Sequence, residues 1–144
     1  MRVEGIIPSH TQNFMSYKKL IVWQKAHALT LKTIKIAESD SKSYAGDIIM
    51  KQLLRATTSI GANIAEGYGR HEGKEYIHFL QVAYGSANEV DNWLNVIKDA
   101  GLMQSVVASG LIENNEEILK MLATMIKKIM GNRIEGRGGC YAKR

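Results

Sequence analysis

Residues able to do chemistry fall on two helical stripes of this 144-residue chain and on a few scattered histidines. Gln52, Arg55, Ser59, Asn63, Glu66 and Arg70 recur every three or four positions, the spacing that puts side chains on one face of a helix. Ser86, Glu89 and Asn92 answer them from a later segment. Small residues surround both sets, Thr58, Ser59, Gly61 and Ala62 on one side and Gly85-Ser86-Ala87 on the other. A glycine inside a helix costs about 1 kcal/mol relative to alanine, so Gly61 and Gly85 are expected where backbones meet or where a site lies. Arg55, Asn63, Glu66 and Glu89 are therefore read as a semi-buried polar network that fixes helix register and shares in an interface. A solvated helix face is the plain alternative.

The second stripe is basic. Lys18, Lys25 and Lys32 stand seven apart with Lys35 beside them, so they form one ridge. Such a ridge suits a phosphate backbone, bound electrostatically, with little sequence preference and strong salt dependence. Lys25, Lys32, Lys51, Arg55 and Arg70 are the candidate nucleic-acid-binding residues, with solubilising surface charge as the plain alternative. No helix-turn-helix, zinc-finger or RNA-recognition motif accompanies them.

Catalytic and metal chemistry finds little support. Gly69-Arg70-His71-Glu72-Gly73-Lys74-Glu75 has three residues between its glycines where a phosphate loop needs four, and Glu75 stands in place of the metal-binding Ser or Thr. Glu75-Tyr76-Ile77-His78 is a single Glu-x-x-His, whereas a di-iron bundle needs two and further glutamates. His10, His27, His71 and His78 are dispersed, and Cys140 lacks a partner base. No catalytic residue, metal or cofactor is expected. Met50, Met103, Met121, Met125 and Met130 read as core filling, and Trp23 and Trp93 as core anchors.

The elements that must position these stripes are four helices. The first is expected over about 19–38, with Leu20, Trp23, His27, Leu31 and Ile34 on one side and Val22, Ala26, Leu29 and Ile36 on the next. The second spans about 45–68 on Ile49, Leu53, Ala56, Ile60 and Ile64, and the glycines of Gly67-Tyr68-Gly69 supply its stop. The third begins near Glu72, carries Phe79, Val82, Ala83, Ser86, Val90, Trp93, Leu94 and Ile97, and stops at Gly101. The fourth runs from an N-cap at Ser105 to Met130 on Leu111, Ile118, Leu122, Met125 and Ile129, with Gly131 as its stop. Short connections and the absence of strand patterns predict an all-α fold, an antiparallel up-down-up-down four-helix bundle over 17–131. Residues 1–16 are expected to be a disordered lead-in and 132–144 a flexible basic tail.

A single proline and 45% hydrophobic residues agree with long helices in a globular chain. One cysteine excludes an internal disulfide, and neither a signal-like apolar stretch nor a membrane-length one occurs, so a cytoplasmic location without membrane association is expected. The net charge of +5 is unevenly spread. Residues 132–144 carry four bases and one acid, 19–70 eight and four, and 71–103 two and five. A rod that is basic at its first half and acidic on its third helix suits subunit packing as well as it suits nucleic acid.

The spaced residues together resemble a known family. Leu20-x-Val22-Trp23-x-Lys25-Ala26-x-x-Leu29 is similar to the opening of the bacterial four-helix-bundle proteins encoded in intervening sequences of 23S ribosomal RNA genes. Gln52-x-x-Arg55-Ala56-x-x-Ser59-Ile60-x-x-Asn63-Ile64-Ala65-Glu66-Gly67-x-x-Arg70 resembles that family's most characteristic stretch, and Phe79-Leu80-x-x-Ala83-x-Gly85-Ser86-x-x-Glu89 its third-helix motif. The resemblance covers about 17–130 and implies a bundle that assembles into a homo-oligomeric ring, typically a homopentamer, without catalysis. Its relatives include the accessory variability protein of diversity-generating retroelements, which works with a reverse transcriptase and RNA. The chain departs from the family in lacking a proline in Asp40-Ser41-Lys42-Ser43, and in having Leu54-Arg55 where two basic residues are common. The expected function is therefore non-enzymatic. The ring would bind RNA, DNA or a nucleoprotein partner, a reverse transcriptase among them, or would act as a scaffold for protein partners without touching nucleic acid.

Overall fold

The computed structural model describes residues 16–39, 43–70 and 73–138, with side chains to position 132. Residues 1–15 of the lead-in expected over 1–16, the loop residues 40–42, His71, Glu72 and Cys140 lie outside the described residues. The order is a 3-10 turn at Tyr17–Lys19 followed by helices α1 (Ile21–Ser39), α2 (Tyr44–Gly69), α3 (Lys74–Asp99) and α4 (Ser105–Gly138). Among the described residues there is no strand. Among the described residues no helix is long and apolar enough to cross a membrane.

Each helix packs through one apolar stripe. Val22, Ala26 and Leu29 of α1, Leu53, Ala56, Ile60 and Ile64 of α2, Leu80, Ala83, Ala87, Val90, Leu94 and Ile97 of α3, and Leu111, Ile118 and Leu122 of α4 form one buried core. The α2–α3 seam is the most extensive, while α1 closes the bundle by touching both α2 and α4. Of the two apolar sides expected on α1, the Val22–Ala26–Leu29 side faces the core and Thr33 continues it. Leu31, from the other side, is 51% exposed, because α1 meets neighbours on one flank only. Val82 and Met130 likewise point outward instead of filling the core.

Glycine does different work from that expected. Neither Gly67 nor Gly69 takes a left-handed conformation; the positive φ values belong to Gly73 (82°), which precedes α3, and Gly101 (66°), which ends it. Gly67 is buried, and a methyl group there would come within 2.8 Å of Phe79 Cβ. It lets α2 and α3 touch. Gly131 does not stop α4, which continues to Gly138 with no positive φ at that position. A mid-helix glycine weakens a helix without breaking it. Ser105 is the first residue of α4, and the amides of Val107 and Ala108 bond the Gln104 carbonyl. Ser43, in contrast, caps α2 by accepting from the Gly46 amide at 3.2 Å.

Candidate nucleic-acid interface

The 3-10 turn and α1 hold five lysines against one acid, Glu38. Ser16 caps the turn through the Lys18 amide, and Gln24 Nε2 donates to the Lys18 carbonyl at 2.8 Å, fixing the turn against α1. Because Lys18 belongs to the turn, the seven-residue ridge does not run along one continuous helix. Lys25 bridges to Glu117 of α4. Glu117 is consequently held below its ordinary value of 4.5, by the hydrogen bond from Lys25 first and by its charge second. Lys18, Lys19, Lys32 and Lys35 are exposed and have no carboxylate partner among the described residues.

The polar stripe of α2 lies along the α2–α3 seam, in three separate clusters. Arg55 Nη2 donates to Glu89 Oε1 at 2.6 Å, and Trp93 Nε1 donates to the same oxygen at 3.3 Å. The Ser59 and Ser86 hydroxyls meet at 2.9 Å, and Asn63 Nδ2 donates to Ser59 O at 2.8 Å and Oγ at 3.1 Å. Arg70 donates to Glu66 at 2.9 Å and Glu75 at 3.3 Å while its guanidinium lies over the Phe79 ring. Those bonds, that to Glu66 foremost, raise its affinity for the proton still further. Asn63 thus touches neither Arg55, Glu66 nor Glu89, and Arg55 is 68% exposed. Exposed ion pairs of this kind contribute little to stability, so the seam is held by its apolar contacts.

The five candidate cations do not share a face. Lys25 reaches α4, and Lys32, two turns on, lies on the same flank of α1. Arg55 and Arg70 face α3, and Lys51 is exposed on α2. Three of the five are already engaged by carboxylates. Of the five, Lys32 and Lys51 are exposed without a carboxylate partner among the described residues, and Lys32 shares the first helix and its turn with Lys18, Lys19 and Lys35. Among the described residues no cluster of three or more His, Cys, Asp or Glu is placed to hold a metal ion.

Gly61 and Gly85 sit in looser surroundings than their cost suggests. A methyl at Gly61 would make an ordinary 3.7 Å contact with Trp23 Nε1, and one at Gly85 would meet nothing within 4 Å. Gly85→Ala is therefore expected to stabilise the isolated subunit by up to about 1 kcal/mol through helix propensity alone, measured as a raised urea midpoint at unchanged slope.

One buried residue had no place in the sequence reading, and one aromatic residue differs from it. Asn115 of α4 is fully buried and donates through Nδ2 to the Ala87 carbonyl of α3 at 2.8 Å, leaving its Oδ1 without a partner. Trp23, expected as a core anchor, is only half-buried and stacks on exposed His27, ring centroids 4.8 Å apart. Tyr17 meets its other side edge-on at 5.1 Å.

A family model described as 23S rRNA-intervening sequence protein matches residues 18–124. A crystal structure from Bacteroides thetaiotaomicron, of a protein with unknown function from the S23 ribosomal protein family, superposes with a TM-score of 0.69 at 26% identity. The match covers 74% of this chain and 99% of that one. No functionally curated protein matches.

Proposed function

We propose that this chain, which belongs to the 23S rRNA-intervening sequence protein family, is a non-enzymatic up-down-up-down bundle that assembles into a ring and binds nucleic acid. The bundle order is supported by the pairs along its seams. Gly67 lies beside Phe79 and Arg55 beside Glu89, while Trp23 lies beside Gly61 and Thr30 reaches the Thr57 carbonyl. In each seam, positions later in one helix meet positions earlier in the next.

The observation that carries nucleic-acid binding is the four exposed lysines of the turn and α1, Lys18, Lys19, Lys32 and Lys35, none of which forms an ion pair among the described residues. Neutralised lysines release counterions from a phosphate backbone, and each contact contributes about 0.9 to the slope of log affinity against log salt on duplex DNA. Labelled RNA and DNA oligonucleotides should bind the full chain at about 50 mM salt and lose most of that affinity near 200 mM. Changing all four lysines to alanine should flatten the salt slope by about 3 to 4 at an unaltered melting temperature. Absence of binding at low salt would overturn the reading.

Outward-facing apolar side chains support a ring that holds protein partners. Tyr44 is 84% exposed, Val106 76% and Ile21 60%. Groups of this size gain by leaving water in an assembly. The same full chain in sedimentation velocity should run near the mass of five subunits, and a strictly monomeric boundary at high concentration would exclude the ring. A ring that binds no oligonucleotide would leave scaffolding as its role.

A further inference from the structure

Between the 3-10 turn, α1 and α2 lies a surface recess lined by Tyr17, Trp23 and His27 on one side and by Thr58, Gly61 and Ala62 of α2 on the other. The Trp23 and His27 rings stack nearly parallel, 15° between planes, and Tyr17 stands across Trp23 at 68°. Gly61 is what keeps the recess open, since a methyl there would already touch the indole nitrogen. The two tryptophans differ in one respect that bears on a ligand. Trp93 Nε1 is satisfied by Glu89, whereas the indole N–H of Trp23 donates to no group among the described residues. Lys18 and Lys19 stand exposed on the turn that carries Tyr17.

We propose that this recess is a pocket for one unpaired base of a single-stranded nucleic acid. The base lies against the His27 ring above Gly61, both faces of Trp23 being already covered by His27 and Tyr17, accepts from Trp23 Nε1, and its flanking phosphates run past Lys18 and Lys19. Aromatic side chains take any base through its π-face, and a stacked base is worth about a five- to 150-fold gain in affinity. A recess of this kind admits a splayed base and not the edge of a duplex, so it converts a general attraction to phosphate into a preference for single strands. The pocket rests on the nucleic-acid reading above, and its test separates the two.

The full chain carrying Trp93→Phe leaves Trp23 as the only indole. It is titrated at low salt with a dye-labelled ten-nucleotide oligouridine and with a duplex RNA of the same length. Anisotropy of the dye reads binding, and indole emission reads the recess. Trp23 emission should fall along the same isotherm as the anisotropy for the single strand and stay constant with the duplex. His27→Ala, which removes an exposed ring, and Gly61→Leu, which fills the recess, should each weaken single-strand binding by about five-fold or more and leave duplex binding unchanged. Thermal melts confirm that both variants fold, and His27→Ala carries the test if Gly61→Leu does not. Binding with constant Trp23 emission, or with unaltered affinity in the folded variants, overturns the pocket and leaves nucleic-acid binding standing. No anisotropy change with either RNA overturns both. Emission that follows protein concentration alone assigns the recess to a second copy of the chain and overturns the pocket.

Discussion

Asn115→Asp should lower the stability of the bundle by about 3–5 kcal/mol at pH 7, the usual consequence of leaving a charge buried and unpaired. The two side chains have nearly the same shape, so no cavity or clash confuses the result. The amide is fully buried and gives its only hydrogen bond to the Ala87 carbonyl. A carboxylate cannot donate, and it would set an acceptor against that carbonyl in place of the amide donor. Burial raises such a carboxyl group's pKa above its unfolded value of about 3.9. The folded state then binds more protons than the unfolded one across the interval between the two values, so stability must fall as pH rises through it. The penalty should therefore grow as pH rises to neutrality and above, and fade on acidification towards pH 4. Urea denaturation of both proteins at pH 4 and pH 7 measures it, and an equal loss at the two pH values would show that the carboxyl had found water or a cation.

Gly67→Ala is the second large effect, and its sign is the informative part. In most helices this substitution stabilises by about 1 kcal/mol. Here the new methyl would lie 2.8 Å from Phe79 Cβ and 3.3 Å from the Tyr76 ring. A Cβ atom is rooted to the backbone and cannot swing aside as a side-chain tip can, so α2 and α3 must part locally. Overpacking of this kind costs about 1–3 kcal/mol, which outweighs the gain in propensity. A lowered midpoint in Gly67→Ala beside a raised one in Gly85→Ala would distinguish the glycine that permits contact from the one that does not. Equal shifts in the two variants would exclude the close approach.

Much of the bundle was legible because periodic apolar residues determine both helix position and buried face. Leu53, Ala56, Ile60 and Ile64 recur every three or four residues, and all are buried. What periodicity does not determine is which of two candidate stripes wins. On α1 both sides were apolar, and the outcome depended on where α2 and α4 sit. Glycine was misread for a related reason. A sequence shows that a position lacks a side chain and not whether the gap serves a turn, as at Gly101, or a neighbour, as at Gly67. Asn115 was missed although a signal existed, since the α4 stripe jumps from Leu111 to Ile118 and only a residue in the middle of that gap completes it. Pairings such as Lys25 with Glu117 join residues far apart in sequence and left no local trace.

That last pairing has a bearing on how the chain comes together. It joins the first helix to the last, 92 positions apart, whereas α2 and α3 are neighbours across a short connection. Closing a long loop is slower and entropically dearer than folding a helical hairpin. During synthesis, α1 emerges first yet cannot acquire its α4 contacts until the final helix has left the ribosome. The α1–α4 edge is thus the last to zip shut. Being lightly packed, it is also the edge whose amides would exchange with solvent soonest, a gate in time and not in space.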